Sequence, residues 1–143
     1  MASKPFVTFE GFYLAQHAAP RTKLLHALGS GLVLACCLAE PRLLLAAGWA
    51  SAAGLLAFRL TLGLAHGLLE LAAALLAALA AGRAARACAR PALHVLALGY
   101  GFAWYAHHFV EGNRPATFVY PTFSLWADFR MLAEILVGRH AVL

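Results

Sequence analysis

The chain has 143 residues, of which 63% are hydrophobic and only 12% charged, with a mean hydropathy of +0.76. That balance excludes an ordinary soluble domain, in which roughly 25% of residues are charged, and makes lipid the expected solvent. The net charge of +5 does not signal nucleic acid, because the eleven Lys and Arg stand thinly between apolar blocks and form no basic stripe interleaved with aromatics.

In chain order, the N-terminal "MASKPFVTFEGFYLAQH" has no basic region followed by an apolar core and a small-residue cleavage site. No signal peptide is expected, and the chain is expected to stay whole. Residues 6–18 mix aromatics with single charges at helical spacing, the pattern of an amphipathic helix lying in a membrane interface. A spanning helix needs roughly 20 mostly apolar residues, or about 17 where flanking groups snorkel. Four segments meet that need. The first covers 24–39, "LLHALGSGLVLACCLA", opened by "RTK" and closed by Glu40-Pro41, since proline cannot continue a helix. The second covers 43–58; Arg59 marks the turn to the third, 60–82; Arg83, Arg86 and Arg90 mark the connection to the fourth, 91–110. Residues 122–137 repeat the interfacial pattern.

The expected fold is therefore all-α: an integral membrane four-helix bundle with an interfacial amphipathic helix at each end, one membrane domain over 1–143. Gly29, Ser30 and Gly31 in the first span, and Gly99 and Gly101 in the fourth, suit close backbone approach in lipid. Cys36, Cys37 and Cys88 offer neither a disulfide framework nor a CxxC metal spacing and read as small apolar fillers. Short connections imply up-down-up-down order with both termini on one side. That side gathers Lys4, Arg21, Lys23, Arg59, Arg114, Arg130 and Arg139, against Arg42, Arg83, Arg86 and Arg90 on the other, so the positive-inside rule puts the termini in the cytoplasm.

The same side gathers most of the polar groups: His17, His26, His66, Glu70, His107, His108 and Glu111, with His94 at the opposite end. Ionisable residues inside a membrane are rare and are functional candidates by default. His107 and Glu111 are spaced to share one helical face, and His66 and Glu70 repeat that spacing on another helix. Imidazole and carboxylate together suit zinc, iron or another borderline metal, and two histidines with one carboxylate is the usual facial set for non-haem Fe(II). For His94, His108 and His140 an interfacial or hydrogen-bonded role is the simpler reading. The His66–Glu70 pair serves equally as metal ligands or as a hydrogen bond between helices.

"FYLAQH", ending at His17 and followed by His26 and Gly29, together with "YGFAWYAHHFVEGNRPATFVYPTFSLWADF", resembles the membrane family typified by fungal 2-hydroxy fatty acid dioxygenase. The likeness covers about residues 6–32 and 98–139, roughly half the chain, and its most specific element is H-x-x-x-E followed by N-R-P-A. It implies an Fe(II)-dependent dioxygenase of fatty acid α-oxidation that removes one carbon from a long-chain 2-hydroxy acid such as 2-hydroxypalmitate, using O2. For a bacterial relative it implies an inner-membrane protein with the metal site on the cytoplasmic side. The family's histidines fall on His17, His26 and His107, with Glu111 as the motif acid. Arg114, beside Asn113 and held by Pro115, is placed to grip the substrate carboxylate, and is equally suited to be a snorkelling cation. The family pattern is commonly apolar at the position of His108 and has no histidine at the position of His66, so His66 enters as an additional candidate ligand.

Three rivals stay open. Zinc on the same ligands would make a membrane hydrolase. A polar cluster that only pins helices would make a scaffold or assembly protein. A proton or ion pathway fits less well, because the polar residues sit on one side and the second span offers none. An oligomer is compatible with all of these.

Overall fold

The computed structural model describes residues 9–86 and 89–140. Lys4, Cys88, the Arg90 side chain and the start of the 6–18 segment lie outside the described residues. Within them the chain is helical and contains no strand. Five α-helices follow a short N-terminal coil of π and 3-10 turns: α1 (Pro20–Ala39), α2 (Arg42–Leu60), α3 (Leu68–Ala84), α4 (Ala89–Tyr105) and α5 (Pro121–Leu136).

Local chemistry sets the boundaries. Pro20 and Pro121 open α1 and α5 at the position where a missing N–H is no loss and a fixed φ is already helical. Pro41 separates α1 from α2, and the Thr61 hydroxyl closes α2 by donating to the Ala57 carbonyl at 2.8 Å. The third helix begins at Leu68, not at Leu60 as the apolar run suggests. Residues 61–66 turn instead, because Gly67 is held against the 116–121 segment: its N–H donates to the Phe118 carbonyl at 2.8 Å. Apolar composition marks a buried or lipid-facing stretch but does not say which part of it is wound.

α1 runs antiparallel to α4, with Gly29 against Phe102 and Gly99 against Val33. A Cβ on Gly29 would stand 3.0 Å from the Phe102 Cβ, so this crossing needs glycine, whereas Gly31 and Gly101 face open space. α2 pairs with α3 in the same way, Ala46 meeting Gly82. A small core of Val33, Cys37 and Leu43 is covered by Ala92, Val95, Leu98 and Phe129. α5 crosses one end of the other helices, with Thr122 against Gly54 of α2 and Glu70 of α3, and Asp128 against His26 of α1.

α1 and α2 are each long and apolar enough to cross a membrane. In α2 only 17% of the apolar window is buried within the chain. The core helix of a soluble protein buries most of such a window; here Leu45, Trp49 and Leu56 point outward instead.

Candidate metal centre

Three histidines from three distant stretches meet behind α5. His17 ends the N-terminal coil, His26 lies in α1 one turn past the opening lysine, and His107 follows α4. All are buried, and the ligand atoms they offer lie within 4.8 Å of one another. Their rings stand nearly perpendicular in pairs: centroids are 4.3 Å apart for His17 and His26, 4.8 Å for His17 and His107, and 5.2 Å for His26 and His107, with interplanar angles of 85°, 76° and 84°.

His107 was expected inside a regular helix reaching Val110. Regular α geometry ends at Tyr105, and residues Ala106–Glu111 form a wider π-helical turn. Such turns re-aim side chains and are frequent at functional sites. The turn closes on Gly112, in the left-handed region at φ 67°, a conformation that a side chain would strain. Past that corner Asn113 folds back on His107, its N–H donating to the His107 carbonyl at 3.1 Å.

The hydrogen bonds assign each imidazole's tautomer. His17 Nδ1 faces the Tyr13 carbonyl at 2.6 Å, an acceptor only, so this nitrogen carries the hydrogen. His26 Nδ1 donates to the Asp128 carboxylate at 2.7 Å. The Asn113 amide donates from Nδ2 to the Gln16 carbonyl at 3.1 Å, which turns its Oδ1 toward His107 Nδ1 at 2.5 Å and makes that nitrogen a donor as well. Each ring therefore keeps its Nε2 lone pair free of these bonds. The Nε2 atoms of His17 and His26 are buried and have no hydrogen-bond partner. A buried acceptor without a partner costs about 1–3 kcal/mol, and a cation would remove that cost. Three imidazoles, each backed by an oxygen on Nδ1, match the way metal-ligating histidines are held. The three offered ligand atoms are close enough together that one ion could be held among them. The residues present thus fit a divalent transition metal.

Burial, with the His26 ring second, pushes the His17 pKa down from 6.5 to about 4. The unfolded chain then binds more protons than the folded one between these values, so stability rises with pH across that window. We expect the metal-free protein to lose up to about 3 kcal/mol as pH falls from 6.5 toward 4, a loss that His17→Gln reduces in thermal melts.

Asp128 is the partner that the sequence reading missed. Its Oδ1 accepts from both His26 and the Tyr13 hydroxyl. Burial, then the Asp128 charge, raises the Tyr13 phenol well above its ordinary pKa, so it stays a donor at neutral pH. The Tyr13 ring also stacks on His17, centroids 4.1 Å apart. The one available signal was a single acid in an otherwise aromatic and apolar helix segment, "SLWADF".

The other expected site residues surround the cluster or stand apart from it. Glu111 accepts from the Ala19 N–H at 2.9 Å. Ala19 caps α1 and has no capping side chain of its own, so this carboxylate supplies the cap and meets the positive end of the helix dipole. Fully buried Glu70 does the same for α5, accepting from the Thr122 N–H at 2.9 Å. His66 is exposed and its Nδ1 faces the Leu68 N–H at 3.4 Å, apart from the three-histidine cluster. Asn113 is bound to His107 and Gln16, while exposed Arg114 lines an open groove of about 430 Å³ with Phe12, Gln16, His66, Phe118 and Tyr120. His108 and His94 are exposed, and His140 pairs with Glu134 at 2.8 Å.

Fold and site together define an all-helical protein with a buried three-histidine cluster able to hold a metal ion. The chain belongs to the Mpo1-like family, described as 2-hydroxy-palmitic acid dioxygenase Mpo1-like, whose sequence profile matches residues 3–140. No curated protein and no solved structure matches it.

Proposed function

We propose that the chain is an Fe(II)-dependent dioxygenase of fatty acid α-oxidation, embedded in a membrane, that shortens long-chain 2-hydroxy acids by one carbon. The observation that carries this reading is the convergence of His17, His26 and His107 with buried, partnerless Nε2 atoms on two of them, in a chain of a family named for that chemistry. The redox chemistry no side chain offers, activation of O2 and rupture of the C1–C2 bond, is what Fe(II) held by these histidines would supply.

The chain's own residues divide the remaining work. Asn113 and Asp128 orient His107 and His26, and Glu111 anchors the start of the helix that carries His26. The outward leucines of α1 and α2 keep those helices in lipid, where α3 and α4 pack against them as further spans. The positive-inside rule, applied to the expected loops, supports a site on the cytoplasmic side. A substrate alkyl tail then stays among apolar side chains, while its carboxylate meets Arg114 in the groove whose wall includes Gln16, the residue next to His17. A bidentate guanidinium–carboxylate pair suits that task.

The test is incubation of Fe(II)-loaded protein with 2-hydroxypalmitate in air, with mass spectrometry for the acid one carbon shorter. Arg114→Ala is expected to raise KM about 10-fold, the loss of one charge-assisted hydrogen-bonded pair, at unchanged metal content. An unchanged KM would make Arg114 a snorkelling interface cation only.

A further inference from the structure

We propose that Asp128 and Tyr13 are the positioning residues of the metal centre: one carboxylate oxygen holds His26 in its ligating tautomer, and Tyr13 ties His17 to that same carboxylate. This inference rests on the metal-centre reading above and extends it to two residues outside the ligand set.

The geometry is specific. Asp128 Oδ1 accepts from His26 Nδ1 at 2.7 Å and from the Tyr13 hydroxyl. A carboxylate can only accept, so the His26 hydrogen is fixed on Nδ1 and the Nε2 lone pair faces the cluster. Tyr13 then acts on the second ligand twice. Its carbonyl accepts from His17 Nδ1 at 2.6 Å, and its ring lies on the His17 ring at 4.1 Å and 23°. One residue pair therefore sets the hydrogen position and ring plane of two of the three imidazoles.

The pair also joins elements that sequence holds far apart. Tyr13 belongs to the N-terminal π turn Phe9–Tyr13, His26 to α1 and Asp128 to α5. The same turn is tied to α5 by Glu10, whose carboxylate accepts from Arg130 at 2.7 Å, and by Phe12, edge-on to Tyr120 at 5.5 Å. Those exposed or apolar contacts hold the segment in place, and the Tyr13–Asp128 contact reaches the imidazoles. The chemistry adds a reason for a carboxylate at this spot. Three imidazoles bring no negative charge to a divalent ion, and the Asp128 carboxylate is hydrogen-bonded to one of them. Outer partners of this type make the ligand more basic, and their loss weakens metal binding by about 10- to 100-fold.

The experiment uses the full chain in detergent, with Co(II) as a spectroscopic probe and Zn(II) in competition against a chromophoric chelator. Asp128→Ala removes the acceptor, Asp128→Asn keeps its shape without the charge, and Tyr13→Phe removes only the hydroxyl while keeping the ring and carbonyl. All three are expected to keep the wild-type far-ultraviolet circular dichroism. Co(II) affinity should fall about 100-fold in Asp128→Ala and about 10-fold in Asp128→Asn and Tyr13→Phe, with altered d–d bands in each. Folded variants that bind Co(II) within about twofold of wild type, with an unchanged spectrum, overturn the inference. If Asp128→Ala does not fold, the two milder variants decide by the same criterion. A wild-type chain that binds neither ion overturns the metal-centre reading itself, an outcome distinct from equal binding by wild type and variants.

Discussion

His107→Ala is expected to abolish both tightly bound iron and formation of the shortened acid. With two imidazoles left from a set of three, the centre loses a direct ligand, and the effect should exceed the 10- to 100-fold typical of an outer partner. The substitution also removes the hydrogen bonded to Asn113 Oδ1, so the fold past Gly112 loses a tether. Circular dichroism and size-exclusion chromatography separate the two consequences: helix content should persist, because α1 and α4 pack through Gly29, Phe102, Val33 and Gly99, away from His107. A folded His107→Ala protein that retains iron and turns over 2-hydroxypalmitate would remove this residue from the ligand set.

Gly67→Ala is expected to lower stability by about 1–3 kcal/mol, the range for forcing an added methyl into a packed site. A Cβ there would stand 2.4 Å from Pro121 Cδ and 2.8 Å from the Val119 carbonyl. Neither is a flexible side-chain end, so the 116–121 segment must move and the Gly67–Phe118 hydrogen bond is strained. That segment opens α5, which carries Asp128, so the damage reaches the metal centre and should also weaken Co(II) binding. Gly101→Ala is the matched control: a Cβ at Gly101 meets nothing within 4 Å, and within a helix Ala is the better residue by about 1 kcal/mol. Thermal melts of the two proteins in one detergent should therefore move in opposite directions.

The contrast between these residues explains what the sequence could disclose. Helical segments were legible because apolar length is a one-dimensional property, and Pro20, Pro41 and Pro121 punctuate it. His17, His26 and His107 were legible because an imidazole between apolar blocks is chemically conspicuous and because the surrounding strings resemble a known family. Asp128 was not, since a lone acid near the end of a chain reads as an interface charge until α5 is seen lying across His26, 102 positions away in sequence. Glu70 and Glu111 looked like ligands for the same reason that His107 did. Yet both serve as caps for helices elsewhere in the chain, a role that depends on which N-terminus packs beside them. The π turn at Ala106–Glu111 left no periodic signature either, because six residues are too few to separate its repeat from that of an α-helix. His66, adjacent to Gly67, stands at the groove and outside the three-histidine cluster because the docking of Gly67 on the Phe118 carbonyl turns the chain there, a long-range contact with no signal in the sequence.

Iron K-edge X-ray absorption on protein purified without oxygen examines the core assertion with the fewest intervening steps. Stoichiometric iron with three imidazole nitrogens in its first coordination sphere, at about 2.1 Å, is the predicted result. A natively folded protein free of iron, or one whose iron shows no imidazole scattering, would contradict it.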